Sequence, residues 1–265
     1  MADDRMEQWK ARIGLAPSYP GDQPGRGIVA TWPAPTTWQS LRDAPWRVVT
    51  DSVTAATPGV GRREWALVHE KARLLVRLGV SSVGNALSRD QVLAHATTTM
   101  RRDIPFEAPA QRLGDLAIVL PNAGPRASFV AWAYRNVYVE LSGENMPDVI
   151  GLARELQAFL QEQPIVALEP HLPHLDRLRV TPARLPAGET ADVLLVAPRL
   201  VPPERYVVAF RTDPGLVVER FDELQATVRA ADAGVATVTV TAVDRETLLA
   251  RSLGEPVTVD ATPAP

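Results

Sequence analysis

The chain has 265 residues, 46% of them hydrophobic and 22% charged, with a formal net charge of −3 and no cysteine. This is the balance of a globular chain, long enough for one large or two ordinary domains and able to bury a core without staples. Disulfides, thiolate zinc sites and cysteine nucleophiles are excluded, and an acidic chain with no basic stripe argues against nucleic-acid binding.

No stretch approaches the ~18 apolar residues of a membrane span. The polar start Met1-Ala2-Asp3-Asp4-Arg5 has no apolar run behind it, so no signal peptide is expected. The compartment stays open: cytoplasmic if the chain is native from Met1, periplasmic or extracellular if a signal was trimmed.

Residues 1–60 read as an irregular wrapping segment. They carry Pro17, Pro20, Pro24, Pro33, Pro35, Pro45 and Pro58 and four of the six tryptophans, Trp9, Trp32, Trp38 and Trp46. Two readings follow. Exposed tryptophans form a platform for sugars, proline-rich peptides or another protein. Buried ones anchor a segment that must hide apolar area to become ordered.

Residues 61–163 read as an α+β domain, an antiparallel sheet on one side and helices on the other. The stretch from Trp65 to Leu78 fits both a helix ending at Gly79 and, by the alternation of Leu74, Val76 and Leu78, a strand, and strand is preferred, giving the order strand, helix, strand, strand, helix. Ser88-Arg89-Asp90-Gln91 has the form of a capping box ahead of Val92, Leu93, Ala96 and Met100 at helical spacing. Strands are expected over 115–120 and 128–141, the second bending near Tyr134-Arg135-Asn136. Trp132, Tyr134 and Tyr138 should share its core face. Asn145 reads as the N-cap of a second helix, with Pro147 and Asp148 in its first turn. Its apolar stripe is Val149, Ile150, Leu152, Ala153, Leu156, Phe159 and Leu160.

Residues 164–176, with Pro164, Pro170 and Pro173, read as a linker. Residues 177–260 read as strands only, ahead of a tail, Ala261 to Pro265. Ala236, Val238, Val240 and Ala242 alternate with Thr237, Thr239 and Thr241, which puts one face in a core. Six further short runs, at 177–181, 190–197, 205–211, 216–220, 224–229 and 257–260, are separated by Pro, Gly and Asp turns. Seven short strands at this spacing describe a Greek-key sandwich, with Leu248, Leu249 and Leu253 covering its open end. Val180-Thr181-Pro182 through Leu185-Pro186-Ala187-Gly188-Glu189, followed by Ala233-Gly234-Val235 and the alternating run, resembles bacterial immunoglobulin-like domains over about a third of the chain. The chain lacks the cysteine pair and domain tryptophan of antibody domains. The resemblance implies an adhesive, spacer or partner-binding module and carries over no functional residue.

The densest polar cluster is Glu169, His171, His174 and Asp176, a donor set that zinc can take. Its two histidines stand three apart, and Pro170 and Pro173 forbid a regular helix, so a solvated linker is the plainer reading. His69 has Glu70 and Glu64 as possible partners, and His95 falls beside the first helix's stripe; neither makes a triad. Pro58-Gly59-Val60-Gly61-Arg62-Arg63 lacks the third glycine or the Gly-Lys-Ser/Thr of a phosphate loop. The acid pairs Asp213/Glu219 and Asp222/Glu223 show no cleft geometry. The expectation is a non-catalytic protein-binding or assembly protein of a bacterial envelope or multiprotein complex. It would have another protein as partner, no nucleic acid and no cofactor. The alternative is a metal-assisted hydrolase with Glu169, His171, His174 and Asp176 at a domain interface. A pure scaffold is the third reading.

Overall fold

The computed structural model describes residues 23–100, 113–120, 127–146 and 149–261. These are mostly strand, in sheets that are antiparallel except where Arg184–Pro186 runs parallel to Ala250–Asp260, and divide into two compact units. The first unit takes in residues up to Val53, Arg62–His171 and Glu246–Leu248. The second takes in Thr54–Gly61, Leu172–Arg245 and the chain from Leu249 onward.

In the first unit, β1 (Arg26–Ile28) pairs antiparallel with β8 (Ile165–Ala167). A six-stranded sheet contains β2 (Arg47–Thr57), β3 (Val60–His69), β4 (Ala72–Ser81), β5 (Leu116–Leu120), β6 (Ala127–Tyr134) and β7 (Val137–Glu144), in the order β2-β3-β4-β7-β6-β5. Helices α1 (Ala86–Met100) and α2 (Val149–Gln161) pack on it. The ambiguous stretch from Trp65 to Leu78 is two strands joined at Glu70, whose φ is +50°. The run 128–141 is not one bent strand but a hairpin turning at Arg135 and Asn136. Both its strands are buried on both faces, so no break in alternation announces the turn. Trp132 pairs with Val139, and Tyr138 with Ala133, so Trp132 and Tyr138 lie on opposite faces and not on the shared face expected.

The helices also differ from the expected layering. A Cβ at Gly79 of β4 would lie 3.0 Å from Gln91 Oε1 on α1, and one at Gly143 of β7 would lie 2.6 Å from Val149 Cγ2 on α2. Gly79 pairs with Tyr138 and Leu74 with Gly143, so the two glycines sit five positions apart along each strand and face opposite sides. The helices therefore cover opposite faces of the sheet. Neither expected cap is in place. α1 begins at Ala86, which puts Ser88 in its first turn, buried and without a hydrogen-bond partner among the described residues. Asn145, at φ +56°, uses its side-chain amide on Lys71 O at 3.0 Å. Pro147 and Asp148 lie outside the described residues.

Two stretches expected to be irregular contain strands. β2 runs through the end of the 1–60 segment, where Val48, Val49, Thr50, Val53 and Thr54 favour extended backbone despite the proline-rich composition around them. The apolar triplet Ile165-Val166-Ala167 makes β8 inside the stretch read as a linker.

The second unit contains two four-stranded sheets. One has the order β13 (Leu216–Asp222), β14 (Gln225–Ala230), β11 (Thr190–Val196) and β9 (Arg177–Thr181). The other has the order β10 (Arg184–Pro186), β16 (Ala250–Asp260), β15 (Gly234–Asp244) and β12 (Tyr206–Thr212). Inward residues recur at period two, among them Ala191, Val193 and Leu195 on β11 and Ala236, Val238, Val240 and Ala242 on β15. They form one buried cluster. Eight strands replace the seven expected, because β10 is too short to show a period. The final strand begins at Ala250 and not near 257, so Leu253 lies within it. Leu248 and Leu249 are buried.

Candidate functional site

The described tryptophans of the wrapping segment are anchors. Trp32 and Trp38 are 6% and 2% exposed, so neither presents a face to a partner. Trp32 packs against Phe159 of α2 with ring centroids 5.7 Å apart, and Trp38 meets Trp65 of β3 edge-on at 5.5 Å. Two 3-10 turns, Pro35–Thr37 and Gln39–Leu41, carry the chain between these contacts. The Glu155 carboxylate on α2 accepts the backbone N–H of Gln39 (2.6 Å) and of Ser40 (2.8 Å), and the Ser40 hydroxyl (2.6 Å). Trp46 is half-buried with its ring 5.7 Å from His69, while Glu64 is taken by Arg77. Trp9 lies outside the described residues, as does the side chain of His95.

The polar cluster of the expected linker does not assemble a metal site. No group of three His, Asp or Glu able to hold an ion is found among the described residues. His174 has both ring nitrogens engaged, Nδ1 with Asp176 at 3.0 Å and Nε2 with Arg199 at 3.0 Å. Glu169 and His171 begin and end an exposed 3-10 turn. Gly59, at φ +73°, makes the turn between β2 and β3, and Arg63 is held by Asp51 through two nitrogens, so this loop is a hairpin and not an anion cradle.

A polar row, buried at Glu140 and Tyr138 and partly exposed at Arg77 and Glu64, crosses the first sheet. Arg77 on β4 donates to Glu64 on β3 (2.7 Å) and to Glu140 on β7 (2.9 Å), and the Tyr138 hydroxyl donates to Glu140 (2.9 Å). Burial, then the Glu140 carboxylate, pushes the Tyr138 phenol far above its usual range. Burial opposes the charge on Arg77, but its two carboxylate partners win and raise its pKa. The row ties three strands, β3, β4 and β7, together.

The accessible site lies in the second unit, on β13. Leu216 and Val218 turn inward, but the register with β14 shifts between Val218 and Arg220, so Phe221 leaves the core sequence of the strand one residue late. It is 67% exposed. On one side the ring borders a slot of about 390 Å³ lined by Leu200, Pro203, Tyr206, Val208 and Leu224, with Glu204, Glu223 and Arg245 around them. An open groove of about 460 Å³ lies on the outer face of the same sheet, beside Asp192, Leu194, Arg220, Asp222, Gln225 and Thr227. The slot opens because β12 and β13 are the outermost strands of their sheets. They meet at the Asp213-Pro214-Gly215 corner, where the Thr212 hydroxyl donates to Leu216 O (2.8 Å). Asp213 serves the backbone there, accepting from Thr237 N at 3.2 Å, and Glu219 pairs with Arg229, so the suspected acid pair has no shared task. On the opposite side of the sandwich, β9 joins one sheet and β10 the other, closing that edge with a single stretch of chain.

No protein-family model and no curated protein matches this chain. Sequence reasoning missed Phe221, although a signal exists. Apolar residues at 216 and 218 demand one at 220, and the chain supplies it at 221, the mark of a bulge.

Proposed function

We propose that the chain is a non-catalytic binding or assembly protein, an α+β unit followed by an immunoglobulin-like sandwich of the bacterial kind, which docks another protein at the slot beside Phe221. The strand order supports the sandwich type: β9-β11-β14-β13 and β12-β15-β16 follow the A-B-E-D and C-F-G order of immunoglobulin constant domains, with β10 added alongside β16. The observation that carries the docking site is the exposure of Phe221 at the mouth of an apolar slot on the one sandwich edge that no strand closes among the described residues. Large exposed aromatics beside a concave apolar surface are where association energy concentrates. The bulge and the charges of Glu219, Arg220 and Asp222 blunt β13 against strand addition, so the partner is held by side chains in the slot.

Affinity capture from the source cell's soluble and envelope fractions, with mass spectrometry, tests this. A specific protein should be retained by the full chain and lost with Phe221→Ser and with Pro203→Asp on the opposite wall. A hot-spot truncation costs about 2 kcal/mol, roughly thirtyfold in affinity. Equal capture by the full chain and both folded variants would move the docking site elsewhere.

A further inference from the structure

Given docking at the slot as proposed above, we propose that the partner presents an extended segment that adds itself as a strand to the free edge of β12. The segment carries large apolar side chains at alternate positions, with a Lys or Arg flanking them. The four outermost strands of the sandwich differ in how they resist such pairing. β13 has its bulge and the charges of Glu219, Arg220 and Asp222. β9 carries Arg177 and Arg179, and β10 is three residues long and ends at Pro186. Charges, bulges, prolines and short length are what keep an edge from accepting another strand. β12 has none of these over most of its length. Its register with β15 runs through seven successive pairs without a shift, and Tyr206-Val207-Val208-Ala209-Phe210 contains no charge, glycine or proline. In an antiparallel ladder every second residue turns both its N–H and its C=O away from the paired strand. Among the described residues β15 is the only strand paired with β12, and no other backbone hydrogen bond reaches Tyr206–Phe210.

The space beside that edge is shaped for side chains. Phe221 pairs with Ala226, a core residue, so its ring lies on the inner face of its sheet and is nonetheless 67% exposed. Leu200, Tyr206, Val208 and Leu224 of the slot belong to the core or pack against it. A strand laid along β12 turns every second side chain to this inner face, where it fills the slot and covers Phe221. A second copy of β12 does not suit the place: its inward Tyr206, Val208 and Phe210 are already spent on their own core and bring nothing to the slot. The charge of the slot sets the flank of the segment. Glu204 and Glu223 outnumber Arg245 in the lining, and neither carboxylate has a hydrogen bond or ion pair among the described residues. A Lys or Arg beside the apolar positions supplies the partner they lack.

A synthetic peptide pool passed over the immobilised full-length protein tests this. Its members alternate Val, Ile, Leu or Phe with Ser or Thr and end in either Lys or Glu. Lys-ended peptides should be retained over Glu-ended ones by the wild type, and lost with Phe221→Ser. Methylating the backbone nitrogens of a retained peptide one at a time should weaken binding at least about tenfold at every second position and little in between, the mark of a shared ladder. In hydrogen–deuterium exchange the bound peptide should slow every second amide from Tyr206 to Arg211. Glu204→Lys combined with Glu223→Lys should turn the preference to Glu-ended peptides. The methylation and exchange series use the wild type, so they decide the matter if Phe221→Ser does not fold. Retention without a period of two in either series overturns strand addition and leaves the slot a side-chain site. Retention indifferent to the peptide ends and to the two lysines overturns the basic flank. If the wild type retains no peptide, strand addition is overturned, while capture of a protein that is lost with Phe221→Ser and Pro203→Asp still upholds docking at the slot.

Discussion

Asn136 has no exposed surface, and its side chain makes three hydrogen bonds. From the turn between β6 and β7 its Oδ1 accepts Ile28 N at 2.6 Å, and its Nδ2 donates to Ile28 O (3.2 Å) and Ser81 O (3.0 Å). Its own carbonyl takes the Ser81 N–H at 2.8 Å. One residue thus satisfies β1 and the end of β4, neither of which can reach water there. Gly27 is the complement: a Cβ at that position would lie 2.4 Å from both Asn136 Cγ and Oδ1. Asn136→Ala leaves three buried backbone groups without partners and should cost about 3 kcal/mol in urea unfolding. Gly27→Ala should cost about 1–3 kcal/mol by overpacking. In the double variant the alanine methyl enters the space the amide has left. The two costs should then fall short of additive, and simple additivity would show that the two positions do not share that space.

At the scale of elements, the strap of 3-10 turns over α2 depends on a carboxylate. Burial raises the Glu155 pKa, but the hydrogen bonds from the Ser40 hydroxyl and the N–H groups of Ser40 and Gln39 outweigh it, and the net shift is downward. A carboxyl group held below its unfolded pKa contributes stability that is full above the ordinary glutamate range. That contribution is lost as pH falls through the lowered folded value. The wild type should therefore lose more stability on acidification below pH ~4.5 than Glu155→Gln, which keeps a neutral acceptor; parallel profiles of unfolding midpoint against pH would remove Glu155 from this role. The strap also separates what a sequence can and cannot reveal. The α2 stripe was legible because Val149, Leu152, Ala153, Leu156 and Leu160 recur at helical spacing and are all buried. Which face of the sheet α2 covers was not, because that depends on the path of the chain between strands and not on any local period. The tryptophans announced ordering, but where Trp32 and Trp38 pack follows from Phe159, Trp65 and Glu155, more than a hundred residues away for two of the three.

At the scale of the whole molecule, the second unit was legible where one strand face is buried and the other wet, as in β11, β14 and β15. It was opaque where that condition fails. β12 is half-buried along most of its length, and the first half of β16 carries Arg251, Ser252 and Glu255. Least legible was that the unit is not one continuous stretch: it takes in Thr54–Gly61 from far upstream. Within it the Arg211 guanidinium donates to Ala55 O at 2.7 Å, and Gly59 N donates to the Ser252 hydroxyl at 3.1 Å. A fragment of residues 172–261 lacks both partners. Arg211→Ala should lower the stability of the full chain by about 1.5 kcal/mol, the lower end of the net worth of a hydrogen bond from a charged donor. The same substitution in the fragment should change almost nothing, because the acceptor is already gone. The pair of unfolding experiments forms a cycle whose coupling term isolates this one bond. An equal loss in both backgrounds would mean that Arg211 acts through its strand neighbours, and that residues 54–61 add nothing to the unit through it.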